Sequence, residues 1–150
     1  MPKRTARQRQ SYSSYSLIET LCSLILMRLP LVAAEFMTNE AARAVFGETE
    51  SLVAPQVAAF IVRHKNVPVA AAMTLIAARV AGIYFVGTVP EARGRGLGEL
   101  STRAATNAGF DLGAGAAILQ ASVAGEPLYR RMGYQLLTRY RCYRSTFDSL

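Results

Sequence analysis

The chain contains no tryptophan, one histidine and two cysteines. Each scarcity removes a class of chemistry. Cys22, His64 and Cys142 stand far apart, with none of the short spacings that hold zinc. No metal site is expected. Two cysteines make no disulfide framework, so the expected compartment is reducing. Acids are also few: 10 Asp and Glu against 17 Lys and Arg, a formal net charge of +7. That balance suits a polyanionic small ligand, nucleic acid or a solvated basic face, and charge alone does not separate the three. Long apolar runs are lacking as well. Leu17–Val32 has features of a signal peptide's apolar region, with Val32-Ala33-Ala34 as a weak cleavage site. Glu19 and Arg28 interrupt it, and its longest clean run is Leu24–Met27. A bilayer span needs about 20 apolar residues. No membrane span is expected. The spacing of Leu17, Leu21, Leu24 and Ile25 predicts a helix over 16–28 instead, able to pack on the domain or to mediate a homodimer.

What is present describes one ordinary domain. The chain has 150 residues, 51% of them hydrophobic, enough to bury a core. Residues 1–16 are basic, rich in Ser and Tyr and free of acid, and read as a disordered tail before a single domain over 17–150. No strand is legible in residues 1–35. Thr38 or Asn39 can cap a short helix, with Glu40 in its first turn and Gly47 as its stop. Glu48 and Glu50 open a polar loop that Pro55 closes. Val57–Arg63 and Val67–Ile76 read as strands, joined by a turn at His64, Lys65 and Asn66 in which Asn66 takes the left-handed conformation. His64 is then a turn residue and not a catalytic base. Both strands are strongly apolar, as in a sheet covered on both faces. Ala77–Arg79 turns into a third strand ending at Thr88, which makes an antiparallel meander.

The rest of the chain is organised around Gly82–Gly98, GIYFVGTVPEARGRGLG. Ile83, Tyr84, Phe85 and Val86 are strand formers. Pro90 stops the strand. Arg93, Gly94, Arg95, Gly96, Leu97 and Gly98 follow, and then Leu97, Leu100, Ala104, Ala105 and Ala108 recur at helical spacing up to Leu112, with Gly113 beyond. Amide N–H groups at a helix start lack intrahelical partners and carry partial positive charge. Glycines let that backbone approach a ligand closely. Two arginines add fixed positive charge. The combination reads as a pyrophosphate cradle. It is no P-loop, because Glu99 and Leu100 follow Gly98 where Lys and Ser or Thr belong. It fits a dinucleotide fingerprint poorly, because Glu99 stands where the last glycine belongs. Ala116–Ala121 reads as a short strand, so the helix is a right-handed crossover between parallel neighbours.

Arg93, Gly96 and Gly98 match the R/Q-x-x-G-x-G/A motif of the GCN5-related N-acetyltransferases, the GNAT superfamily, and Thr88-Val89-Pro90 matches that family's strand exit. A second stretch, Ser122–Tyr134, resembles the family's closing motif: Tyr129 falls on its tyrosine, Gly133 on its glycine and Tyr134 on its aromatic, while Ser122 stands where many members have Asn. The resemblance covers residues 57–143. It implies an α/β (α+β) acyl-CoA N-acyltransferase fold, a mixed and mainly antiparallel central sheet with helices on both faces. It implies a bulge in the strand that ends at Thr88, leaving a gap in which pantetheine amides pair with the backbone of Val86, Gly87 and Thr88. Arg93, Gly94, Arg95, Gly96, Leu97, Gly98 and Glu99 would then hold the CoA phosphates, with Ser122 near the pantetheine. Tyr129 would protonate the departing thiolate. The general base stays unassigned among Tyr84, Glu48, Glu50 and Glu99, with Glu99 better explained by the helix dipole.

The expected function is therefore a cytoplasmic acetyl-CoA-dependent N-acetyltransferase that passes acetyl directly to a primary amine on a small molecule, peptide or protein, without a metal. The alternative is a CoA-binding or regulatory module of the same fold with little or no turnover. A nucleic-acid-binding protein ranks third: only Tyr12 and Tyr15 could stack beside the tail's arginines, and no nucleic-acid motif is present.

Overall fold

A computed structural model describes residues 15–19, 38–40, 54–141 and 143 of the chain. It divides into two compact units, residues 1–120 and 121–150. The first carries a five-stranded sheet in the order β1-β2-β3-β4-β5. The strands are β1 (Tyr15–Glu19), β2 (Val57–His64), β3 (Val67–Ala77), β4 (Val80–Thr88) and β5 (Ala116–Leu119). Helix α1 (Leu97–Asp111) links β4 to β5. The first four strands pair antiparallel, and β4 pairs parallel with β5, so the sheet is mixed and mainly antiparallel.

The structure corrects the reading of the N-terminal segment. Residues 15–19 form a strand whose Leu17 pairs with Val62 of β2, where a helix over 16–28 was expected and no strand was legible. The free edge of β2 explains the difference: a local helical pattern yields when a neighbouring strand offers ladder hydrogen bonds. The rest of that expected helix, 20–28, lies outside the described residues, as does most of the tail. So does most of the helix expected after Thr38, of which Asn39 and Glu40 are helical.

The meander forms as the sequence predicts, but His64, expected in the turn, is the last residue of β2 and pairs with Val67, and Ala77 ends β3, because each turn needs only two residues. Lys65 (φ 48°) and Asn66 (φ 67°) are both left-handed, which is the two-residue hairpin turn whose twist matches the strands. The Asn66 side-chain oxygen accepts a 2.9 Å hydrogen bond from Arg63 Nη1. Ala78 (φ 47°) and Arg79 (φ 62°) repeat the geometry between β3 and β4. Ala59–Val62 and Val69–Thr74 are buried without a break, so the sheet's centre is covered on both faces.

Helix α1 covers one of those faces. Phe60, Ala72, Ala81 and Ile83 pack with Ala105 and Ala114 beneath it. Small residues let helix and sheet approach closely: a side chain at Gly109 would collide with the Cβ of Ala81. The helix ends in a Schellman motif, with Gly113 at φ 93° donating to Phe110 O and Ala114 donating to Gly109 O. One polar group under α1 is left over. Thr74 is fully buried, and its Oγ1 has no hydrogen-bond partner. A buried, unsatisfied hydroxyl costs about 1–3 kcal/mol. Thr74→Val keeps the shape and removes the hydroxyl, so it is expected to stabilise the fold by about 1 kcal/mol, or roughly 2–4 °C in Tm. A thermal melt checks this, and a lowered Tm would show that the hydroxyl is satisfied.

Candidate active site

β4 does not run straight. Met73 of β3 pairs with Tyr84, but Ala71 pairs with Gly87, so two residues of β4 oppose Ala72 alone. The extra residue is accommodated at Phe85, which sits at φ 52°. A bulky side chain in the left-handed region costs about 1–3 kcal/mol and persists only where the surroundings impose it. This is the bulge that the resemblance implies. It has a direct consequence on the other side of the strand. β5 pairs with β4 only from Val80 opposite Ala116 to Ile83 opposite Leu119. Beyond Ile83, Tyr84–Thr88 continue with no strand beside them on that edge among the described residues. The strand expected to reach Ala121 therefore stops at Leu119, because β4 has turned away and offers no ladder.

The same strand delivers the glycine-rich turn. Val89 N–H donates to Val69 O at 2.9 Å, and Pro90–Ala92 form a short 3₁₀ turn. Ala92 and Leu97 are buried together against Val62, Val69 and Ala70. They pin both ends of Arg93–Gly96, which is exposed. Gly94 (φ 74°) and Gly96 (φ 75°) are left-handed, a conformation in which glycine carries no Cβ penalty, and a side chain at Gly94 would meet nothing within 4 Å. Gly96 is the N-cap of α1 and its carbonyl accepts from Leu100 N–H at 3.0 Å. The amides of Leu97, Gly98 and Glu99 precede that first intrahelical bond and belong to the positive end of the helix dipole.

Neighbouring side chains fix this start. Arg93 Nε donates to Thr88 O at 3.2 Å, tying the turn back to the strand end. Glu99 Oε1 accepts from Arg103 Nε at 2.9 Å and lies 2.8 Å from its Nη2, one helical turn on. Its carboxylate is thus paired within the helix's own first turns. Two contributors escaped the sequence reading. Ser101 and Thr102 are fully buried, and both hydroxyls donate to Gly98 O, at 3.2 and 2.7 Å. The only sequence signal was a pair of hydroxyl residues three and four positions after Gly98, one helical turn on.

Val86–Thr88 and Arg93–Glu99 are thus consecutive parts of one strand, turn and helix start in the first unit. Ser122 and Tyr129 belong to the second unit, around α2 (Glu126–Arg131). Ser122 heads the turn before α2: its carbonyl accepts from Gly125 and Glu126 N–H at 3.0 Å, and its Oγ accepts from Gly125 N–H at 3.1 Å. α2 ends in a second Schellman motif, in which Gly133 at φ 96° donates to Arg130 O and Tyr134 donates to Tyr129 O. The hydrophobic contact that accompanies such a motif is the edge-to-face pair of Tyr129 and Tyr134, centroids 6.1 Å apart. The spacing of tyrosine, glycine and aromatic is therefore a helix stop. Tyr129 is 9% exposed. Burial, with a smaller contribution from Tyr134, raises its pKa above the ordinary phenol value. Glu126 Oε1 accepts from Arg130 Nε at 2.9 Å and from Arg139 Nη2 at 3.1 Å, and the Arg130 hydrogen bond above all lowers its pKa.

Among the described residues no group of three His, Cys, Asp or Glu side chains could hold a metal, and no helix is long and apolar enough to cross a membrane. The chain matches the model of the acetyltransferase (GNAT) family over residues 26–134. No curated protein sequence matches it. Its fold resembles that of the aminoglycoside N-acetyltransferase AAC(6')-Iy, solved with a bisubstrate analogue of CoA and acetylneamine. The TM-score is 0.72 at 17% identity, over 89% of this chain and 99% of that one. It also resembles glucosamine-6-phosphate N-acetyltransferase from Arabidopsis thaliana (TM-score 0.67, 16% identity, 91% and 100% covered). A putative acetyltransferase from Agrobacterium tumefaciens is similar as well (TM-score 0.65, 25% identity, 87% and 99% covered). The bulged strand, the glycine turn at a helix start and a family match over more than two thirds of the sequence agree, and the chain belongs to the acetyltransferase (GNAT) family.

Proposed function

We propose that the protein transfers acetyl from acetyl-CoA directly to a primary amine within a ternary complex, in the cytoplasm. The observation that carries this reading is the edge of β4 beyond Ile83, unpaired on that side among the described residues, which leads straight into the exposed turn at the start of α1. A strand edge offers alternating N–H and C=O groups to any extended chain laid beside it. Pantetheine, with two amides in a linear arm, is such a chain. The residues fit the rest of the molecule too. Gly94 and Gly96 open the turn, and the α1 amides with Arg93 and Arg95 suit a pyrophosphate.

Roles for this chain's own residues follow. Val86, Gly87 and Thr88 bind and orient the arm through their backbone. Arg93 has two tasks, since its Nε also holds Thr88 O. Acetyl-CoA supplies an activated acyl group as a thioester. A backbone N–H on the bulged strand stabilises the negative charge that develops on the acetyl oxygen. Tyr129, kept protonated by burial, gives the departing thiolate its proton. Ser122 acts through the turn it caps.

The test is initial-velocity kinetics of CoA release with glucosamine 6-phosphate, kanamycin and a short peptide as candidate amines. Direct transfer predicts amine-dependent release and intersecting double-reciprocal lines. Parallel lines would replace the ternary complex by an acyl-enzyme. Tight CoA binding without amine-dependent release would favour a regulatory module of the same fold.

A further inference from the structure

Tyr84 is the first residue of β4 beyond its last pairing with β5. Ala81 and Ile83 face the core under α1, so the alternation of a strand turns Gly82 and Tyr84 to the opposite face. On that face Met73 of β3, paired with Tyr84, is buried, but the side chains nearer β5 are exposed. Tyr84 is 40% exposed, and Ile118, the partner of Gly82 across β5, is 46% exposed. The other face is closed by α1. Among the described residues, α1 lies on one face of this parting, and the exposed side chains lie on the other.

Gly82 is unusual in this setting. It lies inside a strand, where glycine costs about 0.5–1 kcal/mol relative to alanine, and its φ is not left-handed, so its backbone conformation does not call for glycine. The Tyr84 ring does. It folds back along the strand across Gly82, and a Cβ there would meet Tyr84 Cε2, with Cζ at 2.7 Å and Oη at 2.6 Å. The Phe85 ring lies near it, tilted by 49°, with centroids 6.5 Å apart.

We propose that the Tyr84 ring, parked over Gly82, is the wall past which the acceptor amine reaches the parting of β4 and β5, and that Gly82 is a specificity-determining residue because it keeps the ring out of that path. This rests on the acetyltransferase reading above. A side chain at position 82 pushes the ring outward, where it obstructs the amine without touching the CoA cradle.

The test compares wild type, Gly82→Ala, Tyr84→Ala and the double variant. Acetyl-CoA Kd and thermal melts are measured beside KM for the best of the three amines named above. Gly82→Ala is expected to raise amine KM about 10-fold or more, a coupling within the range for contacting residues. Acetyl-CoA Kd stays within about 2-fold. Removing the ring relieves the obstruction, so the double variant returns to the KM of Tyr84→Ala. Tyr84→Trp gives a second route to the same answer if Gly82→Ala does not fold. Its larger ring crowds Gly82 from the other partner and is expected to raise amine KM likewise, and its indole is a unique fluorophore in a chain without tryptophan. Equal KM values in Gly82→Ala and wild type, or a double variant no better than Gly82→Ala, would overturn the inference and leave the acetyltransferase reading standing. A wild type that binds acetyl-CoA but acetylates no amine would overturn both.

Discussion

Tyr129→Phe is expected to lower kcat about 100-fold while leaving the Kd of acetyl-CoA unchanged. The size follows from the leaving group. A general acid contributes about 10²–10⁴-fold, and a thiolate, whose parent thiol has a pKa near 8.5, leaves more readily than an amine or alkoxide. The effect belongs at the lower end. Phenylalanine isolates the hydroxyl because the ring has a separate task. It contacts Tyr134 across the Schellman motif that ends α2, and the backbone bond from Tyr134 to Tyr129 O does not involve the side chain. Tyr129→Ala would confound the two, since losing a buried aromatic costs about 3–5 kcal/mol. The pH profile adds an independent check. The phenol's pKa is raised, mainly by burial, so its proton stays available through neutral pH and is lost only above the ordinary tyrosine range. Wild-type kcat should hold its plateau past that range before it falls. In Tyr129→Phe the alkaline limb due to this group should be missing. Unchanged kcat would confine Tyr129 to its helix-stop role.

The cradle should respond differently, in affinity and with a distinct pattern among its members. If the proposed cradle holds the phosphates, Arg93→Ala and Arg95→Ala each remove one charge-assisted contact, worth about 1.5–3 kcal/mol. Each is expected to raise the Kd of acetyl-CoA about tenfold or more by calorimetry, and the pair about 100-fold. Arg93 should matter more, because its Nε also ties the turn to Thr88 O. Arg93→Lys should recover only the charge, since a lysine lacks the planar fork that serves strand and ligand together. Rising salt should weaken wild type more than the double variant. Gly96→Val tests the backbone alone. At φ 75° a side chain costs about 1–2 kcal/mol, and a β-branched one is less tolerated there still. Loss of binding with a melt lowered by only a few degrees would match that expectation. Unaltered affinity in Gly96→Val and in the arginine pair would remove the cradle from the proposal.

Much of this protein was determined by its sequence alone, because the signals were local. Lys65 and Asn66 sit between two apolar runs, and the hairpin formed there. The glycine turn and the helix after it occupy the predicted positions because Pro90, the glycines and the apolar repeat each restrict the backbone over a few residues. The Tyr129, Gly133 and Tyr134 spacing also expresses a local rule, the left-handed stop of a helix and its flanking contact. What only the tertiary structure decided depends on partners distant in sequence. Residues 15–19 became a strand because β2 offered an edge some 40 residues away. Phe85 entered the left-handed region because β3 holds the register on both sides of it, a constraint that no propensity of Phe expresses. β5 ended at Leu119 because β4 turns away at the bulge. Gly82 reads in sequence as a weak strand residue. Only the folded-back ring of Tyr84 gives it a reason, since side-chain packing within a strand is fixed by the register and twist of the whole sheet.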